Sequence, residues 1–168
     1  MSSRLSSIRE HVEQKHAESW AVLSQLSPGD FGRRAYTDEG AEWTVRDALA
    51  HLADAERGQF RQIQRLLAGK STIPADFDLH RWNRGVVAKR AEQSAPDLLA
   101  EIYAGYQEGL ALLDTITDEA DFDRVGRHAR GDDISVEDFF RRIATHRANH
   151  AQEIQLAINL GKETIRRV

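Results

Sequence analysis

The chain has 168 residues and a mass of 19.0 kDa, which suits one domain, residues 1–168, around one core. With 30% charged and 40% hydrophobic residues, and with no long apolar run, it is predicted to be folded, cytoplasmic and not bound to a membrane. Its net charge of −4 argues against nucleic-acid binding, and its lack of cysteine excludes disulfides, thiolate metal sites and a cysteine nucleophile.

Four long helices are predicted, because apolar residues recur at spacings of three and four and prolines are few. Each opens near a Ser or Thr whose oxygen can accept a backbone hydrogen bond, with an acidic residue three positions later. The first helix has Ser7 in its first turns and is expected to end at about Leu26. The other three are expected to extend from Thr44 to about Ala68, from Ser94 to near Ile116, and from Ser135 to about Leu160, just before Gly161. No strand-like alternation is visible. The chain is therefore predicted to be all-α.

A long connection, residues 69–93, separates the second and third helices. It contains a short amphipathic helix that begins near Asp78. A connection of this length can cross a bundle, so neighbouring helices need not alternate in direction.

Two histidines lie on the apolar face of the fourth helix. His146 and His150 are four residues apart, within about 40° of each other around the helix axis. This spacing stacks the two rings so that both can bind one metal ion. The alternative is a pair of buried histidines satisfied by carboxylate or carbonyl oxygens.

His51 on the second helix is the candidate third ligand. It lies about 140° from the centre of that helix's apolar stripe, on a flank with Ala48 and Ala55. The flank is either a second helix contact or solvent-exposed. If the second and fourth helices are antiparallel, the three histidines come to similar heights.

Two further polar residues fall on apolar stripes. Glu56 is interpreted as a pocket carboxylate that acts as acid or base or supports a metal ligand, or else as a rim carboxylate paired with an arginine. His16 is interpreted as pocket-lining or buried. Glu13 and His16 have the spacing of a di-iron pair, but that architecture needs a second pair, so it is rejected.

The short helix of the connection supplies Arg81, Trp82 and Asn83. These residues are candidates for a wall of the site that offers a cation and an amide to an anionic substrate. The simpler interpretation is that Trp82 closes the end of the bundle. The remaining histidines lack neighbouring ligand candidates: they are His11, His80 and His128.

Three segments in order, Trp43–Glu56, Asp78–Asn83 and His146–Ile154, resemble the DinB-like (YfiT-like) superfamily over nearly the whole chain. The resemblance implies a four-helix bundle of up-down-down-up topology, with the long crossover between helices two and three. It also implies a divalent metal ion, zinc or nickel, bound by His51, His146 and His150. A homodimer is a tendency of the family.

Characterised relatives of this kind include mycothiol-dependent maleylpyruvate isomerases and bacillithiol S-transferases. The resemblance therefore implies a metal-dependent transferase or isomerase that acts on a small-molecule substrate with a low-molecular-weight thiol. A non-enzymatic metal-binding stress-response module is the alternative, and histidines with a purely structural role are a third. Catalytic residues beyond the metal ligands stay unassigned.

Overall fold

The computed structural model describes residues 3–38 and 41–166, with side chains described for residues 3–35 and 42–159. Five α-helices and two small hairpins make up this part of the chain, together with a short 3-10 turn at Glu119–Asp123. The helices are α1 Ser3–Leu23, α2 Val45–Leu67, α3 Leu79–Lys89, α4 Ala95–Asp114 and α5 Val136–Arg166. The strands are β1 Arg34–Asp38, β2 Ala41–Thr44, β3 Val125–Arg127 and β4 Asp133–Ser135.

Three of the four long helices begin at the predicted capping residue, whereas α1 begins at Ser3, so that Ser7 lies inside the helix and does not cap it. Before α2, Thr44 Oγ1 accepts from the Asp47 amide over 3.2 Å, and Asp47 Oδ2 accepts from the Thr44 amide over 3.0 Å. Ser94 and Ser135 accept in the same way before α4 and α5. Each such contact satisfies an amide that has no partner within its helix, which stabilises the helix by about 1 kcal/mol.

The predicted ends of the first three long helices lie within three residues of those in the structure. The prediction that α5 stops before Gly161 was wrong, since the helix continues to Arg166. Glycine in a helix costs about 1 kcal/mol relative to alanine but keeps its backbone hydrogen bonds, so it does not by itself end a helix.

The structure also contains two small hairpins, which no strand-like alternation in the sequence indicated. β1 pairs with β2 and β3 pairs with β4, both antiparallel. Each hairpin leads directly into a long helix and is tied to its first residue: Val45 N donates to Arg33 O, and Val136 N donates to Arg124 O. Strands of three to five residues are too short for a periodic pattern to show.

Contacts between helices give their directions. α1 and α5 are parallel, because Arg4 contacts Glu137 near their beginnings and His11 contacts Thr145 further along. α2 and α5 are antiparallel, because His51 contacts His146 whereas Phe60 contacts the earlier Phe140.

α2 and α4 run in the same direction, since Gly105 faces Glu56 and Gly109 faces Phe60. The long connection therefore crosses the length of the bundle. The order of directions is up-down-down-up, which confirms the all-α bundle expected from the resemblance.

The core consists of two apolar clusters at successive levels of the bundle. Among the largest buried residues of the first are Ile8, Ile63, Leu113, Phe139 and Phe140. Among those of the second are Leu23, Leu49, Leu52, Leu98, Ile102 and Ile154. In the part of the chain that is described, each helix is too short or too polar to cross a membrane.

Candidate metal centre

Three histidines from two antiparallel helices converge at one point. The Nε2 atom of His146 lies 3.2 Å from that of His51 and 3.1 Å from that of His150. All three residues offer ligand atoms that lie within 4.8 Å of one another. The structure thus brings together the three residues that were predicted to bind a metal.

The sequence explains why α2 and α5 approach closely enough. Ala48 on α2 and Ala151 on α5 are almost completely buried, at 1% exposure each. Both belong to the apolar cluster that α2 and α5 share, in which small side chains allow the helices to approach each other. Since His51 is itself 7% exposed, its flank of α2 is a contact surface and not solvent-exposed.

Neighbouring groups orient two of the three rings. His150 Nδ1 is 2.7 Å from Glu153 Oε2 on the next turn of α5. The His51 ring packs against Trp43 with the centroids 5.1 Å apart, and the Asn83 side chain of α3 is close enough to act on the pKa of His51. His146 Nδ1 is a buried atom without a hydrogen-bond partner among the described residues.

The environment keeps His51 and His146 neutral. Burial, together with the charges of His150 and Arg130, lowers the pKa of His51 to about 3. Burial also holds the pKa of His146 well below its usual value, with the other two histidines acting in the same direction. Both rings therefore keep a lone pair at neutral pH, which a metal ligand requires.

The donor set fits a divalent metal ion. Imidazole binds zinc at about 2.0–2.1 Å, so two nitrogens on one tetrahedral ion lie ~3.3 Å apart. The observed separations of 3.1 and 3.2 Å are close to this value. His51, His146 and His150 would therefore hold the ion, through nitrogens that suit zinc, nickel, copper or iron.

Of the three residues predicted to wall the site, Asn83 contacts a histidine of the cluster, whereas Arg81 is exposed. The prediction that Trp82 closes the bundle end was wrong. Trp82 is 51% exposed, and its indole N–H donates to Asp54 Oδ2 over 3.1 Å. This hydrogen bond holds the ring on the surface of α2, so it is not inserted into the core.

Glu56 and His16 lie inside the bundle. Glu56 is paired with an arginine, as one interpretation expected, but the pair is buried and not at the rim: Arg147 Nη1 lies 2.9 Å from Glu56 Oε1. His16 stacks on Tyr106, with the ring centroids 3.5 Å apart. Neither belongs to the group of residues whose ligand atoms converge at the cluster.

Sequence reasoning missed two residues of the β3–β4 hairpin. His128, considered isolated, is buried, and its Nε2 lies 3.2 Å from Gln59 Oε1 of α2. Its Nδ1 accepts from the Arg130 amide and from Arg142. Arg130 itself is close enough for its charge to lower the pKa of His51 and His146. Only the hairpin brings these residues to α2, and no pattern in the sequence indicated it.

Comparisons with known proteins agree with this geometry. A curated protein of Oceanobacillus iheyensis, named provisionally as a metal-dependent hydrolase, is 24% identical over 119 residues, or 70% of this chain. The chain spans 65% of that relative, slightly less than two thirds. YfiT from Bacillus subtilis, described as a probable metal-dependent hydrolase with an unusual four-helix-bundle topology, matches with a TM-score of 0.73 and 20% identity, over 96% of this chain and 90% of YfiT.

Two more distant structures share the fold. A mycothiol-dependent maleylpyruvate isomerase matches with a TM-score of 0.74 and 15% identity, over 92% of this chain and 63% of the isomerase. The colibactin self-resistance protein ClbS, solved with double-stranded DNA, matches with a TM-score of 0.71 and 12% identity, over 90% of this chain and 93% of ClbS. The sequence model of the DinB superfamily matches residues 11–154, and the chain therefore belongs to the DinB superfamily.

Proposed function

We propose that this protein binds a divalent metal ion through His51, His146 and His150 and is a metal-dependent enzyme. The observation that carries the proposal is the convergence of three imidazole nitrogens from α2 and α5, two of whose separations are 3.1 and 3.2 Å. Zinc and nickel are the metals we favour, in line with the resemblance.

The ligand count supports an enzyme over a storage or sensing module. Among the residues that the structure describes, the convergent group contains three histidines and no fourth ligand. The buried carboxylate of Glu56, on the same helix as His51, is paired with Arg147. Three protein ligands leave a coordination position for water or substrate, which is the usual arrangement in catalytic sites.

A thiolate nucleophile must come from outside the chain, because the sequence contains no cysteine. When bound, the ion would lower the pKa of a thiol or of a water molecule and would polarise a carbonyl group. We favour a low-molecular-weight thiol and transferase or isomerase chemistry, supported by the shared fold with a mycothiol-dependent isomerase. Hydrolysis by water is the second candidate, favoured by the names of the two hydrolase relatives.

Two groups of the chain suit an anionic small-molecule substrate. Asn83 lies near His51 and offers an amide beside the cluster. Arg130 places a positive charge near the same histidines. We therefore propose Arg130, in place of Arg81, as the cation that attracts an anionic substrate.

The test is turnover by tag-free protein loaded with zinc or nickel. Electrophiles are offered with mycothiol, bacillithiol or glutathione, and esters and amides are offered without thiol. We expect His150→Ala to lose at least 100-fold in kcat/KM, whereas His80→Ala, an exposed histidine of α3, stays within twofold. Equal turnover by wild type and His150→Ala would refute the proposal.

The non-enzymatic metal-binding module remains the alternative, and it predicts stoichiometric metal without turnover of any substrate. Since ClbS was solved with DNA, the expected absence of nucleic-acid binding stays a prediction for this acidic chain. The homodimer and the cytoplasmic location also stay predictions.

A further inference from the structure

A polar layer crosses the interior of the bundle between its two apolar clusters. Arg147 and Glu56, each 1% exposed, form an ion pair of 2.9 Å. Arg147 Nε donates to Ser19 Oγ over 3.2 Å, and the Ser19 hydroxyl donates to the carbonyl oxygen of His16 over 2.9 Å. The Arg147 guanidinium also lies 5.5 Å from the centroid of the Tyr106 ring. The layer therefore links α1, α2, α4 and α5.

The layer lies beside the candidate metal centre. Arg147 directly follows His146 in α5, and Glu56 comes five residues after His51 in α2. Five residues of helix correspond to a rotation of about 140°, so Glu56 faces the interior while His51 faces the flank. The ion pair and the histidine cluster are thus on two sides of the same α2–α5 contact.

Stability alone does not explain a charged pair at this place. Burying two charges costs several kcal/mol, and well-packed apolar residues of similar volume often do as well or better. Glu56 Oε2 has no hydrogen-bond partner in the described part of the chain. Burial raises the pKa of Glu56 to about 7 although Arg147 acts in the opposite direction. The ion pair is therefore a costly feature that calls for another role.

A directional contact supplies what apolar packing does not. The α2–α5 contact also contains apolar packing, such as Phe60 against Phe140 with the ring centroids 6.2 Å apart, and apolar packing has no preferred direction that would fix one register of the two helices. A slip of one helical turn is about 5.4 Å and would separate His51 from the other two histidines. A charge-assisted hydrogen bond has a defined length and angle, so it fixes the position of α2 along α5.

We propose that Glu56 and Arg147 are positioning residues for the candidate metal centre. Their ion pair holds α2 against α5 so that the Nε2 atom of His51 meets those of His146 and His150. The inference rests on the proposed metal-binding function. It adds that residues of the buried polar layer position the three metal ligands.

The test compares Co²⁺ binding by matched variants of the full chain. E56L/R147M replaces the pair by apolar groups, E56Q removes the carboxylate charge with little change in size, and R147K replaces the guanidinium by a compact ammonium group. The control, E137Q, breaks the 2.7 Å ion pair between Arg4 and Glu137 that links α1 and α5 at the start of α5. For each variant, the Co²⁺ dissociation constant is measured by chelator competition, the visible spectrum of bound Co²⁺ is recorded, and thermal unfolding is followed without metal.

We expect folded E56L/R147M to bind Co²⁺ at least tenfold more weakly than wild type, with a changed visible spectrum, while E137Q stays within twofold. A purely structural pair would alter the unfolding temperature alone. Wild-type affinity and spectrum in folded E56L/R147M would overturn the inference. If E56L/R147M does not fold, wild-type Co²⁺ affinity and spectrum in both E56Q and R147K would overturn the inference. If folded wild type fails to bind Co²⁺, the proposed function falls as well.

Discussion

The histidines of the three-histidine cluster and His128 are all buried or nearly so, but their ring nitrogens have different partners. His128 has a partner for each ring nitrogen: Gln59 at Nε2, and the Arg130 amide with Arg142 at Nδ1. In the cluster the imidazole nitrogens face one another instead, and His146 Nδ1 has no described partner.

The difference separates a structural histidine from a ligand. A buried neutral imidazole needs one donor and one acceptor among its neighbours, which His128 has. When imidazole nitrogens face one another, their few N–H groups cannot provide a hydrogen bond for every lone pair. A shared cation accepts all of these lone pairs. The contacts of each ring, more than its burial, therefore indicate its role.

The largest expected effect is on metal binding. We expect His146→Ala and His51→Ala to weaken Zn²⁺ binding by at least 100-fold, because each removes one of three ligands. His128→Ala should bind Zn²⁺ with wild-type affinity. Isothermal titration of metal-free protein with Zn²⁺ distinguishes these outcomes. Tight Zn²⁺ binding by His146→Ala would contradict the distinction between ligand histidines and the structural His128.

Stability without metal should show the opposite order. His128→Ala leaves Gln59 without its partner and is expected to lower the free energy of unfolding by about 1–3 kcal/mol. His146→Ala removes a ring that already has an unpartnered buried nitrogen, so we expect a smaller loss. Urea denaturation of the two metal-free variants measures the difference, and an equal or larger loss in His146→Ala would contradict it.

Acid should destabilise the metal-free protein partly through His128. Burial lowers its pKa to about 4 in the folded protein, against about 6.5 when unfolded. Between these values the unfolded chain binds more protons, so the stability present above pH 6.5 is lost as the pH falls, by about 1.4 kcal/mol per pH unit.

We expect His128→Ala to flatten this slope between pH 6.5 and 4.5, as measured by urea unfolding at several pH values. Glu56 acts in the opposite sense, since burial raises its pKa to about 7, but its contribution cancels between wild type and variant. Parallel stability curves for the two proteins would show that His128 does not titrate in this way.

The smallest expected effect concerns Arg130. Its charge opposes a cation at the cluster, as its effect on the pKa of His51 and His146 shows. Because the side chain is exposed, we expect Arg130→Ala to tighten Zn²⁺ binding only about twofold at low salt, and not at all in 0.5 M salt. Weaker binding by Arg130→Ala would contradict a repulsive role.

The sequence predicts the helices well, because capping residues such as Thr44 and Ser135 act locally. It also indicates His146 and His150, which share one helical face. The helical wheel alone could not place His51, since the direction of α2 relative to α5 decides whether its flank is buried. That direction came from the family resemblance.

Other features depend on contacts between distant segments. Trp82 lies on the surface because Asp54 accepts its indole N–H, and Glu56 is buried because Arg147 reaches it from α5. His128 reaches α2 only through a hairpin of three-residue strands. Such pairings leave no periodic signal in a single sequence.

The most direct test of the metal centre is elemental analysis of tag-free wild type and of a His51→Ala/His146→Ala/His150→Ala variant, each dialysed after exposure to Zn²⁺ and Ni²⁺. The account predicts about one divalent ion per chain in wild type and none in the folded variant. Equal metal content in the two proteins, or folded wild type without bound metal, would contradict it.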